Sequence, residues 1–375
     1  MPQKYSNTLA VDVSVIITAH AESILIHKTL ASVRRAIKQL DEAFTVEIIL
    51  HVDNPTQGTE NYIAVHKTTT LSDVKVLKNT FGDLGASRNF AIKQATGKYI
   101  STIDADDLMS ENWISHSVSF LEKQTDPTVA HSELTVEFEG TDSIIIKHGE
   151  INKPTDTLLS VYANRWNSVI IAPRQLLLDE PYTPNSAGYG YEDWHLNCRL
   201  IYKDVHNILI PETAIFVRRK AHNSEWLRQV QSMAVLRANP LLSFKNIRTI
   251  TTNPFPEISL SPRLALPNSP TSLRHLTKKV IKRHPLTYKT ARGLKLVLTW
   301  GKVNTSRASD IPQWLKQEWR HLHSIDRQLF PSSHLTEHIT TYDSLTPEHK
   351  LAGSLYKQIV NTLHHDSYDY LIFVP

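Results

Sequence analysis

Tyr99–Leu108 reads YISTIDADDL. Tyr99, Ile100, Thr102 and Ile103 are β-branched or aromatic and predict a short buried strand. It runs directly into Asp104, Asp106 and Asp107, three carboxylates that repel one another and cannot enter a core unpaired. At the carboxyl end of a strand, such a group points into the crevice where open α/β sheets bind ligands. Hard oxygen donors in this arrangement suit Mg²⁺ or Mn²⁺, which in turn neutralises phosphate. The alternative is an acidic turn that caps the next helix.

The preceding residues supply the rest of a sheet. Val13–Thr18 (VSVIIT) is a buried strand, and Ile26, Leu30, Val33, Ile37 and Leu40 follow as one face of a helix opened by Glu22 and Ser23. Val46–Val52 (VEIILHV) is a second strand ending at the turn Asp53-Asn54-Pro55, and Gln57-Gly58-Thr59 leads into a second helix. Val74–Leu77 is a third, weaker strand. Gly82–Thr96 reads as a loop entering a small-residue helix ended by Gly97. Strands alternating with helices predict a doubly wound, mostly parallel sheet. Thr18, His20, Asp53, Arg88 and Asp104 then fall at the carboxyl ends of strands or in the loops after them. No G-x-G-x-x-G follows the first strand, where Ala19-His20-Ala21-Glu22 stands instead, and there is no G-x-x-x-x-G-K-[ST] loop.

Composition sets outer bounds. The 375 residues allow two or three domains, and 41% hydrophobic with 21% charged residues is ordinary for a globular chain. Cys198 is the only cysteine, which excludes an intrachain disulfide and favours a reducing, cytoplasmic setting. The first apolar run, Val11–Ala19, is short and contains Asp12, unlike a secretion signal. No run approaches the ~20 apolar residues of a membrane span. The net charge of +4 conceals a block from Ile258 to Ser309 with 11 Lys and Arg and no acid. So local a basic stretch predicts an anionic partner, not general nucleic-acid binding.

The series VSVIITAHAE, IILHVDNPTQGT and GDLGASRNFAIKQATGKYISTIDADD resembles the nucleotide-binding half of glycosyltransferase family 2, with its GT-A fold. Trp166–Arg174 (WNSVIIAPR) and Gly188–Leu200 (GYGYEDWHLNCRL) are similar to the acceptor region of that family and its Glu-Asp motif. The resemblance covers roughly residues 11–235, and the spacing from Asp106 to Asp193 is that of the family. Two departures stand out: Asp53 occupies a place where the family often has two adjacent aspartates, and Asn54-Pro55 replaces Gly-Ser.

The resemblance implies a role for each candidate. Asp53 would bond the nucleotide base, with Thr18 or His20 lining the same pocket; the alternative for Asp53 is an Asx turn before Pro55. Arg88 would contact base or diphosphate, or be a surface helix arginine. Asp104 would hold ribose or metal, and Asp106 would ligate a Mn²⁺ or Mg²⁺ bridging the phosphates of a nucleotide-sugar, a UDP-sugar first and dTDP or GDP behind it. Asp107 would be an outer-shell or helix-capping residue. Asp193 would be the general base for an inverting transfer, because an attacking sugar hydroxyl must lose its proton. Glu192 would orient the acceptor, or simply be an acid at a helix N-terminus. Tyr191 and Trp194 are candidate sugar platforms, Trp194 equally a core residue. His222 is a third candidate metal ligand, and Arg218 and Arg219 could grip the diphosphate.

The expected organisation is a GT-A domain over 1–240, a proline-containing basic linker with amphipathic helices over 241–310, and a mainly helical extension over 311–375. Leu315, Trp319, Leu322, Ile325 and Leu329 form a helical stripe stopped by Pro331, and a last helix over Pro347–Leu363 leads into Tyr370–Val374. That terminal apolar run reads as the first strand of a second glycosyltransferase domain in a longer chain. The predicted activity is a hexosyl or related transfer to a glycan or lipid-linked glycan acceptor in surface polysaccharide (capsule or O-antigen) synthesis. Residues 258–309 would either touch anionic lipid at the inner face of the plasma membrane or form a solvated helical face packed on the catalytic domain. The alternatives are a non-catalytic glycan-binding or scaffolding domain, and a sugar-nucleotide nucleotidyltransferase.

Overall fold

A computed structural model of the chain describes residues 11–139, 144–147, 160, 164–185, 188–220, 225–232, 234–243, 245–246, 312–325 and 338–341. Strands β1 (Val11–Ala19), β2 (Val46–Asp53), β3 (Val74–Asn79) and β4 (Gly97–Asp104) alternate with helices α1 (Leu25–Ile37), α2 (Gln57–His66) and α3 (Leu84–Gln94). The four strands are parallel in the order β3-β2-β1-β4, with β1 central. Every residue of β1 from Val13 onward is buried, as a parallel strand covered on both faces requires. Side chains alternate between faces. Val13, Val15 and Ile17 join Leu30, Val33 and Leu50 in one core layer, while Ile16 joins Ile49, Ile92 and Ile100 in the other.

Beyond β4 the sheet becomes mixed. After β5 (Leu108–Met109) and α4 (Trp113–Leu121) come the long β6 (Thr128–Phe138), β7 (Ile144–Lys147), β8 (Ile171–Pro173) and α5 (Arg174–Asp179). The short β9 (Tyr189–Gly190) turns into α6 (Glu192–Tyr202), followed by β10 (His206–Arg218), α7 (Glu225–Gln231) and β11 (Val235–Leu236). β8 lies antiparallel between β4 and β6, and β10 runs parallel to β6 while pairing β5 antiparallel. The α/β, Rossmann-like reading therefore holds, with the parallel order confined to the first half.

Three local expectations change. Gly97 does not end α3, which stops at Gln94; it begins β4. A Cβ on Gly97 would come within 2.5 Å of the Ser14 nitrogen, so only glycine lets β4 lie this close to β1. Glu22 and Ser23 do not cap α1 through their side chains: its N-cap is Ile24, which makes no side-chain cap bond. Ser23 instead takes a left-handed conformation, φ +46°, that turns the chain. Asp107 caps no helix; its carboxylate accepts from the Arg218 backbone N–H at 2.8 Å and fastens the end of β10.

Helix α8 (Gln313–Ile325) bears out the predicted stripe at Leu315, Trp319 and Leu322. These three bury themselves against Leu108, Leu134, Val136, Phe138 and Phe216 of the sheet. Arg35 of α1 grips Glu318 with both terminal nitrogens at 2.6 Å. Strand β12 (His338–Thr341) pairs parallel with β7, so the segment after residue 311 supplies a strand as well as a helix. Leu241 and Leu242, past the family-like region, still pack on Trp194, Cys198 and Ile201 of α6. The basic stretch 258–309, His222, Leu329, the helix over 347–363 and the run 370–374 lie outside the described residues. Among the described residues no helix is long and apolar enough to cross a membrane.

Candidate active site

β1, β2 and β4 end side by side, with Thr18 in register with Asp104 on one flank and His51 on the other. Thr18 Oγ1 donates to Asp104 Oδ1 at 2.7 Å, Arg88 Nη2 donates to the same oxygen at 2.8 Å, and Ser168 Oγ reaches Oδ2 at 3.3 Å. Burial would raise the Asp104 pKa, but the Arg88 guanidinium and these hydrogen bonds bring it below the usual carboxylate range. Asp104 is therefore a fixed anion.

Arg88 is not a surface helix arginine. It is 1% exposed, and its other terminal nitrogen, Nη1, donates to Glu192 Oε1 at 2.9 Å. Its guanidinium also lies 5.4 Å from the centre of the Tyr182 ring. The fork is thus spent on two carboxylates rather than held out toward a base or diphosphate. Glu192 is buried and also accepts from Asn185 Nδ2 at 3.3 Å. Burial raises its pKa to about 7, against the pull of Arg88 and with a push from Asp193.

Asp193 stands next to it but is only partly buried. Tyr191, left-handed at φ +62°, turns β9 into α6 and sets both acids in the first turn of the helix. Asp193 Oδ2 accepts from Asn164 Nδ2 at 2.8 Å, and Oδ1 from the Trp194 backbone N–H at 2.7 Å. Asn164 is itself held by Asn197 at 3.0 Å. Burial raises the Asp193 pKa, opposed by Arg88. Trp194 is no sugar platform: it is 6% exposed, its indole donates to the Ser160 carbonyl, and it packs on Trp166 and Leu241.

Asp53 is 8% exposed, and neither of its expected roles describes its bonds. Its carboxylate accepts from the backbone N–H groups of Phe81, Gly82 and Asp83 at 2.6, 3.2 and 3.1 Å and from Ser87 Oγ at 2.8 Å. It ties the loop before α3 to the end of β2. The exposed His20 lies beside it, Nδ1 at 2.9 Å from the Asp53 carbonyl.

Asp106 carries the cation in the crevice. Lys220 Nζ lies 2.7 Å from Asp106 Oδ2 and 3.0 Å from Glu22 Oε1. Burial raises the Asp106 pKa to about 6, with Lys220 opposing and Glu22 and Asp104 adding to the rise. Arg218 and Arg219 are turned elsewhere, to Glu139 and Glu137, and Arg218 Nε also donates to the Asp106 carbonyl at 2.9 Å. Glu22, Lys220 and Asn164 are the site residues sequence reasoning missed. Glu22 and Lys220 are far apart in the chain, and nothing local marks them as partners.

No group of three or more His, Cys, Asp or Glu side chains arranged to hold a metal ion occurs among the described residues. Asp106 and Glu22 nevertheless hold an ammonium between them, and such oxygens suit Mg²⁺ or Mn²⁺ bound by one or two carboxylates together with substrate phosphates.

No curated protein matches the chain. Among solved structures it is similar to residues 1–349 of S. aureus TarS in complex with UDP-GlcNAc (17% identity, TM-score 0.41, covering 59% of this chain and 64% of that one). It is also similar to the mannosyltransferase PcManGT from Pyrobaculum calidifontis in complex with GDP-Man and Mn²⁺ (15%, TM-score 0.42, 64% and 70%). A third is glucosyl-3-phosphoglycerate synthase from Mycobacterium tuberculosis in complex with Mn²⁺, UDP and phosphoglyceric acid (15%, TM-score 0.41, 60% and 75%). The chain spans less than two thirds of the first of these, at 64%. Residues 14–177, in the N-terminal part of this chain, match the family model described as glycosyl transferase family 2.

Proposed function

We propose that the chain is an inverting glycosyltransferase that moves a sugar from a nucleotide-sugar, UDP-linked first, to a hydroxyl of a glycan or lipid-linked glycan in surface polysaccharide synthesis. The observation that carries this reading is one guanidinium, Arg88, joining Asp104 of the donor crevice to Glu192 beside Asp193. In this reading the bridge holds the donor-side and acceptor-side carboxylates in one geometry.

In this reading Asp193 takes the proton of the acceptor hydroxyl as that oxygen bonds to the anomeric carbon. The bond to the diphosphate oxygen breaks on the opposite face, its electron pair leaves with the nucleotide, and the anomeric centre inverts. Asn164 and the Trp194 N–H each occupy one side of the Asp193 carboxylate, which leaves defined lone pairs for the acceptor. Its raised pKa makes it a stronger base than a free aspartate. Glu192 holds Arg88 and Asn185 and so positions the helix start. Asp106 and Asp104, joined by Glu22 at the seat Lys220 occupies, would hold a divalent ion, which supplies Lewis-acid stabilisation of the departing diphosphate when bound. His222 is a further ligand in this proposal, and the basic stretch 258–309 a contact to anionic lipid near a lipid-linked acceptor.

Thermal unfolding with UDP, dTDP, GDP or CMP, each with and without Mn²⁺, tests it. One nucleotide at ~100 times its Kd should add about 2.7 kcal/mol to the native state, and only with metal. No stabilisation by any of them would overturn the donor reading.

A further inference from the structure

The end of β10 presents three consecutive cations, and they do not do the same thing. Arg218 and Arg219 are held by Glu139 and Glu137, away from Asp106 Oδ2 and Glu22. Lys220, the next residue, points its ammonium into the crevice and bridges those two carboxylates at 2.7 and 3.0 Å. The side chains of Lys220, Asp106 and Glu22 are 20%, 14% and 13% exposed, so solvent reaches this trio. Arg88 makes the contrast: at 1% exposure and gripped at both ends, it is built in. A lysine is a compact charge on a flexible stem, held here without a planar fork to fix it.

We propose that Lys220 is a removable counter-ion. It occupies the cation seat on Asp106 and Glu22 in the free protein, and a divalent ion arriving with a diphosphate replaces it. The inference rests on the cation-and-diphosphate reading of this crevice. Without a substitute charge, Asp106 and Glu22 would repel each other across the seat. With Lys220 in place one of the two charges is balanced and the repulsion is relieved, and free metal must displace an ammonium to enter. Once displaced, Lys220 still borders the crevice, where the diphosphate is the available anion. It is a positioning residue, and its signature is in metal affinity.

Mn²⁺ uptake by the full chain, read by electron paramagnetic resonance of the free ion, tests this for the unaltered protein, K220M and K220R. Two charge-assisted contacts are removed in K220M, so it should bind Mn²⁺ about tenfold or more tightly in the absence of nucleotide. K220R keeps the charge and should stay close to the unaltered protein. Saturating UDP should raise Mn²⁺ affinity more in the unaltered protein than in K220M. Equal Mn²⁺ binding by all three would overturn the proposal while leaving the cation reading in place. No Mn²⁺ uptake by any of them, even with UDP, would overturn both. A thermal unfolding scan of each variant confirms that folded protein is compared.

Discussion

Asp104 at the end of β4 and Glu192 at the start of α6 are held by the two terminal nitrogens of one buried guanidinium, at 2.8 and 2.9 Å. Removing Arg88 would leave the buried Glu192 and the partly buried Asp104 without the counter-charge they share. Arg88→Met should therefore lower stability by about 3–5 kcal/mol, measured by urea unfolding. Arg88→Lys keeps the charge but cannot reach both acids, and should fall between. A loss under about 1 kcal/mol for Arg88→Met would show that the bridge does not organise the fold.

Asp193→Asn keeps the shape and one of the two hydrogen bonds, its single amide oxygen accepting from either Asn164 or the Trp194 N–H, but it cannot accept a proton. Its kcat should drop by about 10²–10⁴-fold, with nucleotide binding and melting temperature close to those of the unaltered chain. Unchanged turnover would remove Asp193 from the chemistry.

His131 and His195 make stability fall in acid. Burial lowers their pKa values to about 3 and about 4, opposed at His131 by the hydrogen bond with Asn207, so both are neutral when folded. An unfolded histidine titrates near 6.5. The stability they contribute is thus fully present above about pH 6.5 and drains away as pH falls toward about 4 and then 3. Each histidine adds at most about 1.4 kcal/mol per pH unit to the slope. Melting temperatures of the unaltered protein and His131→Gln between pH 7 and 4 check this: the variant should show the shallower decline.

Two glycines should respond differently to alanine. At Gly97 the new Cβ would meet Ser14 N at 2.5 Å and Val13 C at 2.8 Å, backbone atoms that move only if β1 and β4 separate. Gly97→Ala should cost about 3 kcal/mol or more. Gly82 is left-handed at φ +62° with open space around it, and its alanine variant should lose only about 1–2 kcal/mol of backbone strain. Equal losses in calorimetry would contradict the packing argument.

The sheet was legible because its signal is local. Apolar runs such as VSVIIT and VEIILHV need no knowledge of their neighbours to read as strands buried on both faces. That Asp104 closes a strand was legible for the same reason, because the apolar run it ends is itself local. What the sequence hid was pairing. Arg88 looks like any helix arginine until Glu192 closes over it, and Asp53 looks ligand-facing until Phe81, Gly82 and Asp83 turn their N–H groups onto it. Glu22 read as a helix opener because its partner, Lys220, arrives from the end of β10. Side-chain assignments that depend on a distant cation or amide are set by tertiary contact, and local patterning carries no trace of them.

The docking of α8 also sets what the sheet shows to its surroundings. Leu134, Val136, Phe138 and Phe216 are buried in one cluster with Leu315, Trp319 and Leu322 of α8. A shortened protein ending near residue 246 would keep Asp104, Asp106 and Asp193 yet bare this aromatic and aliphatic patch on two long strands. Such a surface invites strand-to-strand stacking between molecules. Trimming the chain to its family-like portion would thus favour self-association.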